Sequence, residues 1–341
     1  MDIQKIASFE ITKRQTSYVL LVIFITYIAL TSFELFQLEC TGYRNCFDFD
    51  RRMARLYVWD LTWIDDDYRH FVHMGLLEVS QVIFGNYKVL PFVSSILILA
   101  FTYKLVYSIT QKRIASVIAV LVTLQSSIFF NYDTSLTYPS FWSLFFILSL
   151  YLTRTKFYLL SPLFFILSLV AKLITAVFLP ALLLFVLLDK NPRKVFYTIV
   201  DRKFSSLIIL YLIVIAIGLF GIFVVRPSKL ILLVGFLDRF NSEQFFWGFV
   251  SWIWKGFAHD QLTVVFLIFA TAIILMKKIR QGYPALALCY GIILTSPFLI
   301  GMTSFDVWPY RFVPLITGIS LLVGILVANL DKWIGSFKFN R

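Results

Sequence analysis

Eight apolar runs of near-bilayer length divide this chain, and lysine and arginine cluster in several of the segments beside them. A helix needs about 20 apolar residues to cross the hydrocarbon core of a bilayer. Runs of that kind lie at 18–38, 89–109, 114–130, 139–153, 205–225, 261–276, 284–303 and 312–329. A further stretch, 157–188, is too long for one crossing. It reads as two short helices hinged near Lys172, whose charge is costly at mid-membrane and tolerable at an interface. The pattern predicts an all-α polytopic membrane protein of about ten spans, with both termini on one side. Composition agrees: 60% of residues are hydrophobic, only 15% are charged and the mean hydropathy is +0.83, which is not the profile of a soluble core. The first run is full length and no small-residue cleavage site follows it, so it reads as a span and not as a signal peptide.

Lysine and arginine set the orientation. Lys5, Lys13 and Arg14 precede the first run, Lys112 and Arg113 follow the second, and Arg154 and Lys156 follow the fourth. Lys277, Lys278 and Arg280 follow the run at 261–276, and Lys332 follows the last. Counted this way, one side holds 19 basic and 5 acidic residues, the other 12 and 14. The positive side, with both termini, is expected in the cytoplasm. The net charge of +12 is therefore a topology signal. It is no footprint of nucleic-acid binding, because no basic patch is interleaved with stacking aromatics on one soluble surface.

Residues 1–341 read as a single membrane domain with two large outer loops, 39–88 and 226–260. In the first, Phe71 to Phe84 repeats apolar residues at helical spacing and predicts an amphipathic helix in the membrane interface. In the second, Phe245, Phe246, Trp247, Phe249, Trp252 and Trp254 read as an interfacial aromatic belt. Cys40 and Cys46 share the first loop, in a compartment where a disulfide persists, and bridged and free forms are both open. Cys289, inside a run, is expected to be inert packing. No glycine-rich nucleotide-binding motif occurs.

Chemistry-bearing residues gather on the outer side: Asp65, Asp66, Asp67, His70, His73, Asp133, Lys172, His259, Asp260, Asp306 and Arg311. Three consecutive carboxylates are costly to hold together, because each charge raises the pKa of its neighbours. Asp65–Asp67 reads as a solvated turn, as a source of a catalytic base, or, through Asp65 and Asp67, as oxygen ligands for a divalent cation. Asp66, His70 and His73 fall on one helical face that suits zinc, against the plainer reading of surface histidines. Asp133 reads as a turn cap or a second acid. Lys172 reads as a snorkelling lysine or an anion contact, and Arg311, beside Trp308 and Tyr310, as an interface anchor or an anion contact.

Three patches resemble the membrane-embedded glycosyltransferases of the GT-C type, such as protein O-mannosyltransferases and bacterial aminoarabinose transferases. Asp65-Asp66-Asp67-Tyr68 is similar to that class's acidic motif after the first span. As in the class, a helix and a span ending in a basic turn, Gln111-Lys112-Arg113, follow it. Ala171-Lys172-Leu173 through Phe178-Leu179-Pro180 resembles the Thr-Lys-Gly and downstream proline of the short-helix pair, without the glycine. Pro309-Tyr310-Arg311-Phe312-Val313-Pro314-Leu315 is similar to the Arg-Tyr…Pro segment entering a late span.

The resemblance implies a GT-C-like bundle with interfacial helices in its first loop. It also implies a glycosyltransferase moving a sugar from a polyprenyl-phosphate-linked donor to a lipid-linked, protein or cell-surface acceptor on the extracytoplasmic face. Asp65 or Asp66 would be the base, and Lys172 and Arg311 would meet the donor phosphate, Arg by bidentate contact and Lys as a point charge. Asp67, Tyr68, Asp133, His70 and His259 would be accessory. No cofactor is certain, with a divalent metal the open alternative. Two other readings stand: a lipid or solute transporter or flippase, and a non-catalytic membrane subunit that keeps the fold. Transporters carry charges within spans and inverted repeats. Here the ionisable residues crowd one interface and no repeat is visible.

Overall fold

A computed structural model describes residues 10–36, 71–136, 139–158, 160–190, 209, 212–213, 242–303 and 309–334. Among them regular structure is helical throughout. α1 (Lys13–Thr31) opens on a capping box, in which the Thr12 hydroxyl accepts from the Gln15 amide and Gln15 Oε1 accepts from the Thr12 amide at 2.9 Å. Two orphan donors of the first turn are met in this way, so the helix starts five residues before the apolar run does. A 3₁₀ turn, Ser32–Phe36, follows. α2 (Phe71–Phe84) has the bounds that its apolar periodicity predicts, and it stops at Gly85, whose φ of +64° no side chain hinders. α3 (Val89–Thr110) and α4 (Arg113–Gln125) come next. The run at 114–130 does not continue as one helix. Ser126 is extended, and its hydroxyl caps α5 (Ser127–Tyr132) by accepting from the Phe129 amide at 3.2 Å.

α6 (Pro139–Arg154) and α7 (Leu160–Ala171) form the next pair. The hinge expected near Lys172 falls on it: its φ of −156° and ψ of 113° interrupt the helix before a 3₁₀ turn, Leu173–Phe178, and α8 (Leu179–Lys190). The expected run at 205–225 and Cys40 and Cys46 lie outside the described residues. The loop expected at 226–260 is in part a helix, α9 (Ser242–His259), packed on α11. Phe246, Trp247, Trp254 and Phe257 are exposed on it, so its helical spacing was hidden in a tract that reads as uniformly interfacial. α10 (Gln261–Met276), α11 (Tyr283–Thr303), a 3₁₀ turn (Pro309–Phe312), α12 (Val313–Ala328) and α13 (Leu330–Ile334) complete the order.

α12 is the hub. It packs on α3, α4, α5, α6, α10 and α11, and all of its residues but Val327 are buried. Glycine lets its backbone come close: a Cβ on Gly318 would stand 2.8 Å from Cys289 Sγ, and one on Gly324 would stand 2.7 Å from Val106. Cys289 is a free, buried thiol in that seam, which is the packing role expected of it. Between α4 and α12, Thr123 Oγ1 donates to Ser320 Oγ at 2.9 Å.

Two helices among the described residues, α1 and α3, are long and apolar enough to cross a membrane, and α2, α4, α6, α7, α8, α10 and α12 contribute shorter apolar stretches. The outward faces are apolar as well, with Leu21, Val22 and Ile25 on α1 and Leu262, Val265, Ile268 and Phe269 on α10 exposed.

Candidate functional site

Hydrogen bonds sort the helix termini into two ends. At one, the Arg113 amide donates to Glu10 Oε1 at 2.8 Å, Arg154 Nη2 to the Ser108 carbonyl at 3.1 Å, and Asn329 Nδ2 to Gln281 Oε1 at 3.0 Å. Lys13, Arg14, Lys104, Lys156, Lys278, Arg280 and Lys332 belong to this end by chain order and are exposed. At the other end several ionisable groups among the described residues are inside. Asp133, Lys172, Asp260 and Arg311 are all buried, as are His73 and Lys88. Charges taken out of water demand partners, and Asp133 and Asp260 find theirs within the protein.

Asp133 follows α5 and is 2% exposed. Its Oδ2 accepts from Tyr27 Oη at 2.8 Å and from Thr31 Oγ1 at 3.4 Å, and its carbonyl accepts from Ser95 Oγ at 2.7 Å. It thus joins α1, α3 and the α5 terminus and is more than a turn cap. Nothing in the sequence marked Tyr27 or Thr31 as its partners, since the contact spans over 100 residues.

Asp260 caps α10, accepting from the Thr263 amide at 3.3 Å through Oδ1 and from the Ser126 hydroxyl through Oδ2. Ser127 donates to the carbonyl of its neighbour His259. Two consecutive serines at the α4–α5 break therefore clasp two consecutive residues at the α9–α10 break. His259 is half-buried and takes part through its backbone.

Arg311 sits in the 3₁₀ turn before α12, a turn that packs on α5, α9 and α12. It is 8% exposed, so it is no outward anchor, and Nε and Nη1 have no hydrogen-bond partner among the described residues. Lys172 is 5% exposed, which rules out snorkelling, and its carbonyl accepts from the Thr175 amide and hydroxyl. Its turn packs on α7, α8 and α11, beside the stack of Trp142 on Phe178 at 5.9 Å. Trp142 Nε1 and the Ser140 and Ser143 hydroxyls, all on the first turn of α6, are also buried without partners among the described residues. Sequence reasoning passed over these three, as one tryptophan and two serines carry no signature.

Asp65, Asp66, Asp67, Tyr68 and His70 lie outside the described residues. His73 does not face solvent as a surface histidine would. It is buried edge-on against Phe141, and its Nε2 donates to the Leu136 carbonyl at 2.9 Å. That nitrogen is committed to backbone, and no cluster of three metal-ligating side chains occurs among the described residues. No known protein family, no curated protein and no solved structure matches this chain.

Proposed function

We propose that the chain is a multi-pass membrane glycosyltransferase of about ten spans, with both termini in the cytoplasm. It takes a sugar from a polyprenyl-phosphate-linked donor at the extracytoplasmic end of the bundle. One observation carries the reading: a buried guanidinium with two nitrogens lacking partners among the described residues, at the end where Asp133 and Asp260 are also buried. A desolvated, unpaired cation costs several kcal/mol and is retained where an anion completes it. A lipid phosphate suits the fork geometry of arginine.

In this reading a carboxylate of Asp65 or Asp66 takes the proton of an acceptor hydroxyl. The acceptor oxygen attacks the anomeric carbon with inversion, and the carbon–oxygen bond to phosphate breaks. The electron pair leaves with the phosphate, whose charge Arg311 and Lys172 offset. The gathering of buried ionisable residues at one end favours this over a transporter, which needs charges along its path.

The test is incubation of purified protein with a panel of labelled polyprenyl-phosphate sugars, with and without a chelator. Transfer that is lost in both Asp65→Asn and Asp66→Asn supports the reading, and loss with chelator adds a divalent ion. Full activity in both variants removes the base assignment. No transfer from any donor leaves a non-catalytic subunit.

A further inference from the structure

α6 and α10 end in the same way. After α6 the Phe157 amide donates to the Leu152 carbonyl at 2.8 Å and the Lys156 amide to the Thr153 carbonyl at 3.1 Å. After α10 the Ile279 amide donates to the Ile274 carbonyl at 2.9 Å and the Lys278 amide to the Leu275 carbonyl at 3.2 Å. Both are Schellman closures, and the residue that turns each chain is left-handed, Lys156 at φ +69° and Lys278 at φ +51°. Glycine is the usual occupant, because a Cβ is crowded in that conformation. A lysine kept at the costlier choice in two turns calls for a reason outside the turn.

The two turns share one end of the bundle. Arg154, two residues before Lys156, is tied to the end of α3 at the Ser108 carbonyl. A Cβ on Gly324 of α12 would meet both Val106 of α3 and the Ala115 carbonyl of α4. Asn329, just beyond α12, donates to Gln281, three residues after Lys278. Charge here is one-sided: residues 10–14, 104–113 and 154–156 hold seven lysines and arginines and one acid, Glu10. That carboxylate already accepts from the Arg113 and Ile114 amides. Lys156 and Lys278 are exposed, and so are the apolar residues beside them, Phe157 at 58% and Met276 at 68%. A polyanion in solution would neutralise the lysines and leave Phe157 and Met276 in water. A leaflet of anionic phospholipid meets both, with phosphate at the lysine and hydrocarbon at its apolar neighbour.

We infer that this end of the bundle docks on anionic phospholipid head groups, with Lys156 and Lys278 as cations that hold them. The docking rests on the membrane placement proposed above and not on sugar transfer, so its test needs no turnover.

Resistance of the full-length protein to alkaline extraction from membranes is measured first, and release would overturn the placement and the docking together. The protein is then taken into a mild nonionic detergent from liposomes of equal phosphatidylglycerol and phosphatidylcholine. Native mass spectrometry identifies the lipids it retains. Phosphatidylglycerol should exceed phosphatidylcholine, and Lys156→Gln and Lys278→Gln should each lower that ratio about fivefold, the weight of one cation near an anionic surface. Lys156→Arg should keep the ratio. Lys156→Gly should lower it as glutamine does, while raising the unfolding midpoint of the delipidated protein, since glycine relieves the turn. A ratio near one in a protein that resists extraction overturns the docking, and so does an unchanged ratio in both glutamine variants. Inorganic phosphate should displace no more lipid than chloride does at equal ionic strength. Selective displacement by phosphate would assign the lysines to the free ion and overturn the docking.

Discussion

Tyr27 donates its hydroxyl to Asp133 at 2.8 Å, both side chains buried, so that a residue inside α1 holds the far end of α5 in place. Removing that donor withdraws a hydrogen bond from a buried acceptor. Tyr27→Phe should cost about 1–3 kcal/mol, read as a lower unfolding midpoint in detergent. An unchanged midpoint would reduce the contact to coincidence.

Arg311 yields two effects of opposite sign. Arg311→Met removes a buried charge whose Nε and Nη1 lack hydrogen-bond partners among the described residues, so the ligand-free protein should unfold at a higher temperature. The same change should weaken use of an anionic lipid donor by about 1.5–3 kcal/mol. Calorimetry without donor and apparent donor affinity check the two halves. Loss of stability in the ligand-free variant would mean that the guanidinium is a structural group.

The clasp between the α4–α5 and α9–α10 breaks should be measurable as a coupling. Ser126→Ala removes an N-cap and a donor to Asp260, for about 1–2 kcal/mol. In a double-mutant cycle with Asp260→Ala the interaction should be about 0.5–3 kcal/mol. Additive losses would show that each serves only its own helix.

Close helix contact supplies another test. A Cβ on Gly291 would stand 2.7 Å from the Ala181 Cβ and 2.8 Å from its Cα. Backbone cannot swing aside as a flexible side chain does. Gly291→Ala should therefore destabilise by about 1–3 kcal/mol through overpacking of α8 against α11, seen as a lower unfolding midpoint. A neutral result would mean that the two helices separate freely.

Helix bounds were legible where polarity and helix propensity change together, as at Phe71–Phe84 and Gln261–Met276. Lys172 was legible as a hinge because a lone charge interrupts an apolar stretch. The break at Ser126 was not, because a serine inside an apolar run is ordinary, and what singles this one out is a bond to Asp260 across 134 positions. The start of α1 was misplaced because hydropathy discounts Lys13, Arg14 and Gln15, although Thr12 and Gln15 spell out the cap. In the site, residue type could be read locally. The burial of Arg311, Lys172 and Asp133 could not, since burial depends on which helices arrive around them.

The placement of α12 has a consequence for biogenesis. The helix on which six others lean is made after all six of them, about 200 residues beyond α3 and so roughly 10–40 s later at 5–20 residues per second. Until then α3, α4 and α6 lack the surface that fills the space among them, and the polar groups on those faces must wait without the partners that α12 brings. A ribosome stalled before Val313 would release a product whose segments are present yet unassembled, one that quality-control proteases should recognise quickly.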